Sequence, residues 1–531
     1  MFIKVLMLLL FFAITVFIGF YFRKTATDVS GFVLGGRNVG PWITAFSYGT
    51  SYFSAVIFVG FAGQFGWRFG IAATWIGLAN ALIGSLLAWV ILGRRTRVMT
   101  HHLGSATMPA FFGTRFKSSS LKIGASIIAF VFLIPYTASL YNGLSRLFGM
   151  AFGIDFVYCI IIISVLTAVY VVAGGYLAQA VNDFIQGIIM LIGIVVVIAA
   201  VLNSNGGFMN ALTGLAAVTD EGVSNGTVPG IFTSFFGPDP FSLLGVVILT
   251  SVGTWCLPQM VARFYSIKSE KMISKGTIIS TIFAVVVAGG CYFLGGFGRL
   301  YSGEVARNPE TGAVIFDSVI PKMLENFPDL LIGLVLILVF AASMSTLSSL
   351  VIASSSTLTL DFLKGHIVKN MSEKKQLIVI RFLIVVFIAI SGAIAIFQYT
   401  SGGSVIWIAQ LMGISWGALA GAFLAPFLYG LFWKRVTKAA VWVNFVFSSL
   451  FMISMVVLNL FFNAFFKEYF PKFLTSPTGL INAGAFAMLA GLVIVPLVSA
   501  VTKAPEKKFV EHCFSCYEEK VSVTAKTALG E

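Results

Sequence analysis

The residues best placed to do chemistry are oxygen-bearing and sit in apolar surroundings. Ser345, Ser348 and Ser349 recur at i, i+3 and i+4, so on a helix their hydroxyls share one face. Hydroxyl and carbonyl oxygens are hard ligands, suited to a hard cation such as Na+ rather than to zinc or copper. The alternative for such hydroxyls is bonding back to their own helix, and for Ser354, Ser355, Ser356 and Thr357 that reading is preferred. Among the carboxylates Asp183 stands apart, toward the inner end of an otherwise apolar span running through Gly174-Gly175 to Gln186. A carboxylate at membrane depth needs a cation or a hydrogen-bonded partner, which makes Asp183 a functional candidate; a local cap with Asn182 is the structural alternative.

Two stretches interrupt apolar spans with small and polar residues: Ser47-Tyr48-Gly49-Thr50-Ser51-Tyr52-Phe53-Ser54 and Thr250-Ser251-Val252-Gly253-Thr254-Trp255-Cys256-Leu257-Pro258. Broken backbone is tolerated in a bilayer only where it lines a cavity or is buried in protein. With the first span set aside, these are helices 1 and 6 of the remaining twelve. Matched breaks in two successive five-helix units point to a central site in an inverted-repeat transporter. Gly and Ser used for close helix packing are the competing explanation.

The elements that must position these residues follow from composition. The chain has 531 residues, 58% hydrophobic and only 10% charged, which excludes a soluble globular protein. Long continuous apolar runs, rather than alternation over ~10-residue segments, exclude a β-barrel. About thirteen runs are long enough to span a bilayer. They lie near Val5–Tyr21, Pro41–Ala62, Ile71–Leu92, Ala125–Leu147, Phe156–Val172, Tyr176–Val201, Ser242–Val261, Ile278–Phe297, Leu330–Leu358, Leu377–Gln398, Val405–Phe427, Ala440–Phe462 and Ile481–Val501. Residues 1–502 therefore form an all-helical transmembrane domain and 503–531 a cytoplasmic tail.

Assigning every Lys and Arg to alternate sides places roughly 26 of them together when the N-terminus is outside. That set includes Arg23, Lys24, Arg94, Arg95, Arg97, Arg115, Arg263, Lys369 and the tail lysines. The net charge of +14 then marks cytoplasmic loops facing anionic lipid of the plasma membrane, not a nucleic-acid face.

At these residues the chain resembles the sodium:solute symporter family, whose members carry proline, pantothenate, sialic acid and sugars. The resemblance runs in order through Leu34-Gly35-Gly36-Arg37 with Gly40-Pro41, Gly174-Gly175 to Gln186, Leu257-Pro258 with Ala262-Arg263, Ala342 to Ser349, and Gly430-Leu431-Phe432-Trp433-Lys434. It implies a five-plus-five inverted repeat with one extra N-terminal and two extra C-terminal helices. It also implies a first sodium site made by the carbonyls of Thr50, Phe53 and Ala342 with the hydroxyls of Ser345 and Thr346. A second site, known in some members, would draw on Asp183, Ser345, Ser348 and Ser349.

Sodium-coupled symport of a small organic solute by a functional monomer is the expected activity, with Na+ the coupling ion and no other cofactor. Tyr52 stands where proline-transporting relatives carry an acid, and Val56, Thr250 and Thr254 where they carry aromatic residues, which argues against proline. No arginine at mid-membrane is expected to meet a substrate carboxylate. Solute-pocket candidates are Tyr52, Ser54, Tyr136, Thr250, Thr254, Trp255 and Gln410.

A membrane enzyme would need acids or histidines gathered at the membrane face, and the sequence offers none. A sensor on this fold would need a signalling domain, for which the tail after Lys503 is too short. Proton coupling is a smaller variation on symport. His512, Cys513 and Cys516 in the tail form too small a set for a structural zinc site.

Overall fold

The computed structural model describes residues 2–22, 27–223, 225–308, 312–368, 370–400 and 408–518. Arg23, Lys24, Lys369, the start of the span expected at Val405–Phe427 and the tail beyond Glu518 lie outside them. Among the described residues the chain is helical, with isolated bridges but no strands.

The chain opens with α1 (Phe2–Tyr21) and then α2 (Pro41–Tyr52), whose Pro41 supplies a preset φ at the first helical position. A long run, α3 (Val56–His102), follows and turns at Gly70, whose φ of +62° only glycine adopts without strain. Next come α4 (Ser119–Phe152) and α5 (Phe156–Ser204), the latter broken at Gly175 (φ +60°, ψ −164°). After a long loop come α6 (Pro240–Val252), α7 (Pro258–Ser266) and α8 (Glu270–Gly295). The second half holds α9 (Asp329–Thr357), α10 (Glu373–Thr400), α11 (Ile408–Phe432), α12 (Lys438–Phe461), α13 (Gly479–Val501) and, in the tail, α14 (Lys507–Ser515).

Ten of the described helices are long and apolar enough to cross a membrane, or eleven when the pair on either side of Leu257 counts as one span. The expected thirteen differ at two places. Helix α2 has twelve residues, about 18 Å at the usual helical rise, and reaches only part-way before it breaks. The other is Phe156–Val169, the short first half of α5 before the Gly175 turn.

Both expected breaks are present, with different causes. At α6–α7, Leu257 is extended (φ −70°, ψ 128°) because Pro258 disfavours a helical residue before it, and the axis bends by 45°. At α2 there is no proline; Phe53 turns extended (φ −81°, ψ 127°) and α3 starts three residues later. Ser343 of α9 satisfies one stranded group there, accepting from Ala55 N at 3.0 Å.

Charged side chains gather at the two ends of the bundle. One end carries Arg94–Glu270 (2.7 Å), Lys117–Glu506 (3.6 Å) and Lys122–Asp361 (3.3 Å). The other carries Lys4–Asp329 (3.1 Å), Arg68–Asp239 (2.7 Å) and Arg299–Asp220 (2.9 Å). Burial raises the Asp220 carboxyl, but hydrogen bonds from Arg299 and the Gly222 N–H outweigh it and hold the group below its ordinary value. Two arginines counted as loop charges are instead buried. Arg115 donates to the carbonyls of Gly430 (2.9 Å) and Trp433 (3.2 Å), and Arg263 lies inside the bundle.

Candidate ion and solute site

The end of α2 creates the first cluster. A helix leaves its last carbonyls without i+4 donors, so the chain break strands oxygens of Thr50, Ser51 and Phe53 in the protein interior. Helix α9 runs beside this break. Its Thr346 hydroxyl lies 3.3 Å from Thr50 O, 3.5 Å from Ser51 O, 3.2 Å from Phe53 O and 3.1 Å from Ala342 O. One hydroxyl proton cannot serve four carbonyls. Ser345 Oγ is buried on the next position with no hydrogen-bond partner. Of the five residues expected for the first sodium site, Thr50, Phe53, Ala342 and Thr346 thus come together, with Ser345 adjacent on α9, and no ionised side chain is among them.

The second cluster lies one turn further along α9. Asp183 Oδ2 accepts a short hydrogen bond from Ser47 and faces Arg263 Nη2 at 3.4 Å, while Oδ1 is buried without a partner. The same Arg263 nitrogen donates to Ser349 Oγ (2.6 Å) and Ser51 Oγ (2.8 Å). Gln179 also donates to Ser349 Oγ, at 2.5 Å, and Ser349 donates to Ser345 O at 2.9 Å. Ser348 turns to its own helix, donating to Met344 O (2.7 Å) and Ser345 O (3.0 Å). Of the four residues expected for a second sodium site, Asp183 and Ser349 meet through a guanidinium.

That guanidinium corrects one expectation. Arg263 is not a solvated loop charge; its side chain is 1% exposed beside a fully buried carboxylate. It stacks on Tyr176 at 4.9 Å, and Tyr176 is fixed by Ser266 at 2.6 Å. The sequence reading also missed Ser47, Ser51 and Gln179. Gln179 was accessible, since it lies four residues before Asp183 on one face of α5.

The solute candidates separate into groups. A small cavity of about 20 Å³ at the α2 break is lined by Tyr48, Tyr52, Asn80, Thr254, Met260 and Phe283 among others. Asn80 donates to the Tyr52 hydroxyl and accepts from Ser251 Oγ at 2.9 Å, tying α2 to α6 through α3. Beside it the Trp416 ring lies 5.7 Å from Tyr52 and 5.8 Å from Tyr136. The hydroxyls of Tyr136 and Ser54 and the Trp416 N–H are buried there without hydrogen-bond partners.

The remaining three candidates direct their polar atoms at backbone. Thr250 bonds Val246 O (2.8 Å), Trp255 bonds Ile83 O (2.9 Å) and Gln410 bonds Pro477 O (3.4 Å). Gln64 reaches the same Pro477 carbonyl at 3.1 Å, so Gln410 sits against the loop around Pro477 rather than lining this cavity.

A model of the sodium:solute symporter family matches residues 32–447. The chain belongs to the sodium:solute symporter family. Sodium/proline symporters from several Staphylococcus aureus strains are 33% identical to it over 447 residues, covering 82% of this chain and 82% of each relative. In solved structures, a Na+-coupled sialic acid symporter in a substrate-bound, outward-open state shares the fold. Its TM-score is 0.74 at 19% identity, with 95% of this chain and 99% of that one aligned. The five-plus-five symporter fold and sodium-coupled solute import therefore hold for this chain, and its relatives are transporters.

The tail motif takes no part in this site. Among the described residues no group of three or more His, Cys, Asp or Glu side chains could hold a metal ion. Cys513, within α14, and Cys516, just after it, are buried, and burial pushes the Cys513 thiol up. Phe514 of the same helix stacks on Arg115 at 4.9 Å, and Tyr517 donates to Arg95 O at 3.2 Å.

Proposed function

We propose that the chain imports a small solute of zero net charge, coupled to Na+ bound at the α2 break. The ion's ligands are the carbonyls of Thr50, Phe53 and Ala342 and the hydroxyls of Ser345 and Thr346. The observation that carries this reading is the single Thr346 hydroxyl within 3.5 Å of four carbonyl oxygens from two helices. Such a cluster repels itself until a cation sits within it, so binding draws α2 and α9 together.

Because coupling is reciprocal, an ion that stabilises this arrangement raises solute affinity by the factor by which solute raises ion affinity. Sodium enters from outside, driven by its gradient and by a potential worth about 2.3 kcal/mol per charge per 100 mV. The orientation follows the basic end of the bundle: N-terminus outside, C-terminus cytoplasmic, in the plasma membrane. The carrier functions as a monomer, and Asp183, Ser345, Ser348 and Ser349 form a second ion site.

The solute sits against Tyr52, Asn80 and Thr254, with the unpartnered polar atoms of Ser54, Tyr136 and Trp416 as donors and acceptors. These groups carry no formal charge, which favours a neutral or zwitterionic solute over an anion. A carboxylate on a zwitterion would be met by backbone N–H groups at a broken-helix start. Proline, the solute named for the Staphylococcus relatives, belongs to this class and is one compound to screen.

The test is uptake by proteoliposomes in sodium against choline buffer, after a thermal-shift screen of amino acids, vitamins and sugars. Uptake that requires sodium supports the reading. Equal uptake in choline driven by a pH gradient replaces sodium with protons.

A further inference from the structure

We propose that Arg263 is a tethered cation that occupies the second ion site and must withdraw before sodium binds there. This rests on the reading of Asp183, Ser345, Ser348 and Ser349 as an ion site and adds its regulation. A hydroxyl has one proton and two acceptor lone pairs. In this conformation the Ser349 proton goes to Ser345 O, and the oxygen receives Arg263 Nη2 at 2.6 Å and Gln179 Nε2 at 2.5 Å. Ser349 therefore has no lone pair left for an ion.

Charge points the same way. Asp183 supplies one negative charge, and Arg263 at 3.4 Å already faces it, both side chains being buried. A second positive charge would be uncompensated in a low-dielectric interior. Yet the site is not closed, because Asp183 Oδ1 and Ser345 Oγ are buried without hydrogen-bond partners. These two atoms are waiting ligands, and Ser349 completes the set only when the guanidinium leaves.

A small cavity also adjoins the guanidinium. Arg263 lines a cavity of about 30 Å³ with Gln179, Tyr265, Ser349, Ser356 and Thr357, adjoining the site. Its helix, α7, hangs from the Leu257–Pro258 bend, which Thr254 joins to the solute cavity. Displacement of Arg263 by sodium would therefore be felt at the α6–α7 break and, through it, by the solute.

The experiment is a titration of ²²Na+ binding to the purified full-length chain, with sodium-dependent uptake as a second readout. Wild type is expected to bind a second ion only at high sodium. In Arg263→Gln the half-saturating concentration of that second phase should fall about tenfold, within the usual range of site coupling. A structural role for Arg263 would weaken binding, whereas relief of charge repulsion would tighten it as exchange does; tightening in the charge-retaining Arg263→Lys as well separates exchange from repulsion. Unchanged or weaker binding of the second ion overturns the proposal.

If Arg263→Gln does not fold, Arg263→Lys serves. The shorter, compact charge reaches Ser349 less well, and about threefold tightening is expected; no tightening overturns the proposal. Asp183→Asn separates the two layers of argument. If it leaves the titration unchanged, there is no second ion site. If it removes the second phase while the Arg263 variants leave it unmoved, the ion site stands and only the exchange fails.

Discussion

Thr346 and Ser349 lie three residues apart on α9, yet the oxygen clusters around them are built differently. Around Thr346 the oxygens are backbone carbonyls freed by a helix end, and they carry only partial charges. Around Ser349 they are side chains from α2, α5 and α7, and the cluster holds a carboxylate and a guanidinium. A neutral cage has nothing of its own to neutralise it, so its oxygens favour an incoming cation directly. A charged cluster balances itself, and an ion must compete with the group already inside. The first arrangement suits obligatory coupling and the second suits adjustment of affinity.

Substitutions sharpen this contrast in order of size. Ser345→Ala combined with Thr346→Ala removes both hydroxyls of the neutral cage and should lower sodium-dependent uptake by about 100-fold or more, with the protein still folded by thermal shift. Normal sodium dependence in that double variant would break the comparison. Asp183→Asn leaves Arg263 buried without its counter-charge, so a stability loss of about 3 kcal/mol is expected. Sodium-dependent uptake should persist in it at a Hill slope of one, measured in proteoliposomes.

Ser349→Ala removes a single acceptor of the guanidinium and should change half-saturating sodium by about threefold, with the melting temperature lower by a few degrees. Ser348→Ala should change sodium affinity less than Ser349→Ala does, by about twofold, because that hydroxyl donates only to carbonyls of its own helix. A large effect at Ser348 would mean that α9 rotates to present it in another conformation.

The neutral cage was legible in the sequence because its causes are local. An apolar run interrupted by Gly49, Thr50 and Ser51 announces a broken helix, and hydroxyls at helical spacing announce the face that meets it. The resemblance of Ala342 to Ser349 to one family then named the partners. The charged cluster was legible by half. Asp183 was conspicuous because carboxylates are costly in lipid, whereas Arg263 sits a few residues past Pro258, close to charges that do lie in loops.

Counting Lys and Arg by side treats every flanking arginine as solvated, and only the packing of α7 against α5 and α9 shows that Arg263 folds inward. Span counting had the same blind spot. The breaks at Phe53 and Gly175 turn continuous apolar text into shorter helices, and where such a helix stops depends on what satisfies its free backbone groups. Gln410 illustrates the remaining limit: a polar residue in an apolar run reads as a pocket candidate, but here it meets the loop carbonyl of Pro477.

The contrast between the two clusters is tested most directly by ²²Na+ binding to the purified protein at low sodium, comparing the Ser345→Ala, Thr346→Ala double variant with Asp183→Asn. The account predicts that the double variant loses this high-affinity binding while Asp183→Asn keeps it. High-affinity binding that survives loss of both hydroxyls but disappears with the Asp183 carboxylate would contradict it.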